Sequence, residues 1–299
     1  MNDDLFSRAG LSIDRLRSFL AVAEAGGMAR AAPRSPTRQS QLSRQISELE
    51  AFFETALLER RGRSVALTPA GERLAVVVRE VLDGIRDVAA TGRVKTIALS
   101  LGAGDSVLHG WVLPRIGRAL ERAPGTTIGL VALSGPDVVA RLLDARLDFG
   151  VVRAKEVAPG LRSRVIGTIS YALYVPRALR PRPRPSSEVE LVASVPLAAQ
   201  HGDPELAEHL RSAAARRGVE LAPRLVCETF PQAERAMRSG RFAAVLPELA
   251  EPPHDTDVVR SPLFGPTTKL HLAWSARLER RRPRAAVMID PLASALTRS

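Results

Sequence analysis

The stretch 38–53 restricts this chain more than any other. Leu42, Ile46, Leu49 and Phe53 recur at 4-3-4 spacing, which predicts one buried stripe along a helix running from about Arg38 to Phe53. Ser40, Ser43, Arg44 and Ser47 form a second, polar stripe facing away from the first, with Gln39 at the helix start. A helix built this way must lie on a core with one side and offer hydrogen-bonding groups with the other. Gln pairs with adenine edges, Arg with guanine edges or phosphates, and Ser with either, so the exposed side suits a DNA major groove. Four Arg and no acid lie between Ala25 and Ser47. The alternative reading of the same residues is an ordinary solvated face.

The surroundings favour the groove-reading helix. Leu16, Phe19, Leu20 and Ala23 predict an amphipathic helix that Ser12 would cap and Gly26-Gly27 would stop. A short element from Met28 ends at Pro33, which lacks an amide and clashes with the turn before it. Thr37 is the candidate cap of the next helix. After it, residues 57–68 read as two short strands around a basic turn, as a wing beside a helix-turn-helix would. Thr68-Pro69 supplies a cap and a first-turn proline for a further helix. Leu74, Val78, Val81, Ile85 and Val88 fall there at 4-3-4-3 spacing, a heptad seam that calls for a partner, most simply a second copy. Packing within one domain is the other account of that seam.

Beyond Thr91-Gly92 the texture becomes strand-helix-strand, in two successive sets that predict two α/β lobes with a cleft at the strands' carboxyl ends. Polar residues directly after those strands are the candidate ligand contacts: Ser106, Ser134 and Arg153 in the first lobe, His201 and Thr229 in the second. The helix start at Ser106 favours an anion, and Asp105 beside it argues the other way.

Composition excludes several classes. The five His are scattered without metal spacing, and no nucleophile elbow or phosphate-cradling Gly loop occurs, so neither an enzyme, a cofactor nor a metal site is expected. The single Cys227 forms no disulfide within the chain. No apolar run is long enough for a membrane span, and the first residues lack a secretory pattern, so a cytoplasmic protein without membrane contact is expected. Lys+Arg 43 against Asp+Glu 32 gives +11, yet residues 1–92 hold 13 Arg and 12 acids, so bulk charge does not locate a DNA-binding part.

With these residues in view, the chain resembles the LysR-type transcriptional regulators over nearly its whole length. The resemblance is carried by Leu16–Gly26, Arg38–Glu50, Leu57–Arg60 leading to Leu67–Gly71, and, less specifically, Leu142–Val152 and Ser239–Pro247. It implies an α/β protein with an N-terminal winged helix-turn-helix (1–68), a long dimerising linker helix (69–92) and a two-lobed, periplasmic-binding-protein-like effector domain (93–299). Lobe I would comprise about 93–168 and 263–299, and lobe II about 169–262. By the same resemblance, DNA contacts fall on Gln39, Ser40, Ser43 and Arg44, with Arg63 in the wing. The implied partners are double-stranded promoter DNA, a small-molecule effector, further copies as a homodimer or homotetramer, and RNA polymerase. Two alternatives stay open: a solute-binding or interaction protein with a degenerate head, and a regulator without an effector. Pro33, Ser35, Glu54 and Ala145 depart from the family pattern, the last two standing where glycine is frequent.

Overall fold

The computed structural model describes residues 10–62, 64–93, 96–183, 185–200, 204–248, 252–265 and 267–297. The chain divides into two compact units, Met1–Arg93 with Asp144–Arg146, and Val94–Leu143 with Leu147–Ser299.

The first unit is helical. Helix α1 (Ile13–Ala25) is capped by Ser12, whose hydroxyl accepts from the Arg15 amide at 3.3 Å, and stops at Gly26 in the left-handed region. Helix α2 is only Met28–Ala31, cut short ahead of Pro33. Helix α3 spans Pro36–Phe53. Its cap is Ser35 rather than Thr37, because Pro36 takes the first helical position, where a missing N–H costs nothing. Leu42 and Ile46 pack with Val22 and Ala32, and Leu49 with Phe19, Leu57 and Ala75. Phe52 is buried, and Phe53 lies half-buried against the second of these clusters. Strands β1 (Leu58–Arg61) and β2 (Ser64–Leu67) pair antiparallel. Helix α4 (Pro69–Arg93) follows, Thr68 Oγ1 accepting from the Gly71 amide at 3.1 Å.

The second unit has two five-stranded sheets. The first has the order β4-β3-β5-β12-β6, from β3 (Ile97–Ala103), β4 (Thr126–Ala132), β5 (Phe149–Arg153), β6 (Leu161–Ile169) and β12 (Thr268–Ser275). The second has the order β11-β7-β10-β8-β9, from β7 (Tyr171–Pro176), β8 (Leu197–Gln200), β9 (Leu225–Cys227), β10 (Ala243–Pro247) and β11 (Thr256–Arg260). Both are mixed: β3 runs parallel to β4 and β5, and β8 to β9 and β10, while β12, β7 and β11 run antiparallel to their neighbours. Residues 268–275, far along the chain, therefore complete the first sheet.

The helices of this unit are α5 (Asp105–Val107), continued through a π-turn (Leu108–Val112) into α6 (Leu113–Glu121), then α7 (Gly135–Leu143), α8 (Glu188–Ser194), α9 (Pro204–Ala215), α10 (Phe230–Arg238), α11 (Leu278–Arg281), α12 (Pro283–Ala286) and α13 (Ile289–Leu296). Residues 278–296 thus form three short helices rather than one. Gly167 (φ 150°) lies in β6, beside the register shift in its pairing with β12. A Cβ there would stand 2.4 Å from the Trp111 ring, whose Nε1 donates to the Leu296 carbonyl at 2.9 Å. The base of the first sheet carries a buried charge cluster. Asp148 accepts from the Ser100 amide (2.9 Å) and hydroxyl (3.1 Å), from Arg281 (3.3 Å) and from Arg282 (2.9 and 3.0 Å).

Candidate DNA-binding and effector sites

The polar side of α3 is presented as its spacing implied. Ser40, Ser43, Arg44 and Ser47 are exposed, while the opposite stripe is in the core. Thr37, Arg38 and Gln41, which lie outside that stripe, are exposed on the same first turns. Gln39 is different: it is half-buried and its Nε2 donates to the Ala32 carbonyl at 2.9 Å. That bond ties α3 to the end of α2, across a turn in which Arg34 takes φ 61°. Gln39 is in this state a strut of the turn, not a free reader of bases.

Arg44 is also engaged. Its Nε donates to Glu48 Oε1 at 2.8 Å, one helical turn on, while Arg15 of α1 holds the other oxygen at 2.6–2.7 Å. The hydrogen bonds from Arg44 and then Arg15 keep the Glu48 carboxyl below the usual carboxylate range. The Arg44 side chain is nevertheless 82% exposed, so exchanging Glu48 for a phosphate or a guanine edge requires no repacking. Arg63 lies outside the described residues. The wing strands beside it expose Arg60 and Arg61, the latter 2.8 Å from Glu59.

The seam on α4 shifts. Leu74 packs into the cluster of Phe19, Leu49, Leu57 and Ala75, and Val78 is buried, so neither belongs to an exposed face. Val81, Ile85 and Val88 are exposed, joined by Val77; at 75% Val88 is the most exposed large apolar residue described. The face left uncovered is Val77-Val81-Ile85-Val88, at 4-4-3 spacing.

Between the two sheets of the second unit, the candidate cleft residues meet partners of their own chain. Ser106, on α5, is buried and exchanges hydrogen bonds with Gln200 at the end of β8, at 3.0 and 3.2 Å. The Asp105 carboxylate accepts from the Phe230 amide at the start of α10, so a carboxylate of the chain itself stands at that positive helix end. His109 lies 3.4 Å from Asp105 and stacks on Phe230, ring centroids 6.2 Å apart. Arg153 donates to the Tyr171 hydroxyl at 3.1 Å, and Glu156 accepts from the Arg153 amide at 2.7 Å.

Thr229 caps α10, with the Gln232 side chain accepting from the Glu228 and Thr229 amides at 2.9 and 3.4 Å. Ser106 and Arg153 thus each bond from the first sheet's side to the second, and Thr229 precedes the amide that meets Asp105. Ser134 is exposed, and it is engaged in capping α7 with Asp137. His201 lies outside the described residues. The partners Asp105, Tyr171 and Gln200 were not among the sequence candidates. The i,i+4 pair Asp105/His109 was the one local signal that could have found one of them.

Comparison with known proteins decides the family. The model of the LysR substrate binding domain matches residues 95–297, and that of the bacterial regulatory helix-turn-helix protein, lysR family, matches 13–72. The chain belongs to the LysR family. It is 26% identical over 282 residues to the HTH-type transcriptional regulator DgdR of Burkholderia cepacia, covering 91% of this chain and 90% of that protein. Its fold matches a full-length OxyR variant of Pseudomonas aeruginosa with a TM-score of 0.63 at 21% identity, covering 97% of this chain and 95% of the other. It also matches full-length CbnR complexed with its target DNA, with a TM-score of 0.59 at 23% identity, over 95% of this chain and all of that one. This LysR-family protein is accordingly a DNA-binding transcriptional regulator with an effector-binding domain, and its relatives are regulators, not enzymes. Among the described residues no helix is long and apolar enough to cross a membrane, and no cluster of metal-ligating side chains occurs.

Proposed function

We propose that this regulator binds promoter DNA in the cytoplasm as a homodimer, two dimers combining into a tetramer. The observation that carries the DNA reading is α3, whose exposed face bears Ser40, Ser43 and Arg44 while its other face is locked in the head core. Ser40, Ser43 and Arg44 make the direct contacts, Gln39 sets the angle at which α3 enters the groove, and Arg63 acts from the wing. Val77, Val81, Ile85 and Val88 supply the apolar face of α4 for a second copy, which places two heads on half-sites a whole number of helical turns apart. RNA polymerase is the partner that such a promoter-bound assembly would engage.

A small molecule between the sheets would have to open the Ser106–Gln200 and Asp105–Phe230 contacts, and so shift the population between two lobe arrangements. A second reading is a regulator without an effector, favoured because Ser106, Arg153 and Thr229 already bind their own chain.

Selection of fragmented genomic DNA by the wild-type and Arg44→Ala proteins tests the first reading. Enrichment of a few intergenic sites by the wild type, weakened by about 1–3 kcal/mol in the variant, is expected. Equal retention of DNA by both proteins overturns the role of Arg44. Asp105→Asn then separates the two effector readings: a changed DNA affinity, without added ligand, marks the junction as part of a switch.

A further inference from the structure

The second sheet borders a feature that DNA binding leaves unused. A cavity of about 280 Å³ lies between α9 and strands β8–β10. Among the described residues its walls are mostly apolar, with Leu197 from β8, Leu206 and Leu210 from α9, Leu221 from the loop before β9 and Val226 from β9 itself, and Gln200 lines it at the end of β8. Leu197 and Leu206 are buried, whereas Val226, on the edge strand, is 62% exposed and marks the open side. Among the described residues one charged side chain lines the space, Arg211.

Protein interiors pack with few voids larger than a water, so a space of this size is not ordinary packing slack. Apolar cavities stay dry, and one of about 150 Å³ already takes up benzene. Single-site ligand pockets combine such walls with a few polar groups that fix orientation. Arg211 is the orienting group here. Its Nη1 is 2.7 Å from Glu208 in an exposed i,i+3 pair, an arrangement that a second carboxylate can share or displace.

We propose that this cavity is a second small-molecule site, which meets the Ser106–Gln200 junction only at Gln200. It takes a compact apolar body, a single ring or a short aliphatic chain, with one carboxylate at Arg211. Calorimetric titration of the full-length protein with sodium octanoate, and with octanol as the uncharged comparator, tests it. Saturable one-to-one binding of octanoate is expected, weakened about tenfold or more when Ala207→Leu or Ala199→Leu fills the space. Arg211→Gln should weaken octanoate several-fold and leave octanol unchanged. No saturable binding by the wild type overturns the site. So does undiminished binding by the folded filling variants, which would put the probe elsewhere. Equal binding of octanoate and octanol, insensitive to Arg211→Gln, overturns the acidic head. Wild-type DNA affinity in the filling variants keeps this outcome separate from the function of the head.

Discussion

Asp148 ties the base of the first sheet to the chain's last helices, and its removal has a calculable cost. The side chains of Asp148 and Arg281 are 5% and 3% exposed, and that of Arg282 is 13% exposed. One carboxylate accepts from both guanidiniums and from the amide and hydroxyl of Ser100 on β3. Asp148→Asn preserves the volume, removes the charge and turns an NH2 group toward donors. The two guanidiniums then lose the carboxylate that they share. Breaking a buried pair in this way costs about 3–5 kcal/mol, a large part of the roughly 5–15 kcal/mol that holds a domain folded. For a unit of about 200 residues, each kcal/mol is worth roughly 2–4 °C, so the melting point of the second unit should fall by about 6–20 °C. Differential scanning calorimetry on the full-length protein reads it. A fall of less than about 2 °C would mean that the two guanidiniums are satisfied some other way and that Asp148 does not hold this part of the fold. Asp148→Leu combined with Arg281→Met and Arg282→Met should recover most of the loss, because well-packed apolar groups replace a buried ion cluster at little cost.

Other outcomes follow from single sites. Glu54 ends α3 at φ 51°, so Glu54→Gly should stabilise the head by about 1 kcal/mol in urea melts. Ile85→Asp puts a charge in the exposed α4 stripe and should shift the sedimentation of the protein toward monomer, whereas a charge at exposed Arg86 (Arg86→Glu) should not. Burial, then the charge of Lys269, lowers the pKa of His271, whose Nδ1 lies 3.1 Å from the Ser163 hydroxyl. The unfolded chain therefore binds more protons between the two pKa values, and this part of the stability is lost as pH falls from about 6.5. His271→Gln should flatten that loss in urea melts at two pH values.

The head was legible in the sequence because its determinants are local. The 4-3-4 stripe of α3, the Ser12 cap, the stop at Gly26 and the break at Pro33 act within a turn or two of the residues that carry them. The glycine departures were visible too, and the backbone keeps the left-handed geometry there: φ is 51° at Glu54 and 58° at Ala145, although neither residue favours it. Strands β6 and β11 were not legible. Each is an edge strand, half-exposed and interrupted by charged side chains, and is held by pairing with a neighbour distant in sequence.

The functional surfaces divide in the same way. Spacing identified α4 as apolar along one side, but only the folded head decided that Leu74 and Val78 were already used and that Val77 took their place on the open face. Likewise, position after a strand selected both Ser106 and Ser134, although one meets Gln200 across the two sheets and the other caps its own helix. Periodicity reports which side of an element is apolar, and the order of elements reports where polar ends gather. What covers the apolar side, and what already satisfies each polar group, depends on contacts between residues far apart in the chain. Those contacts are decided by packing and hydrogen-bond satisfaction in the tertiary structure.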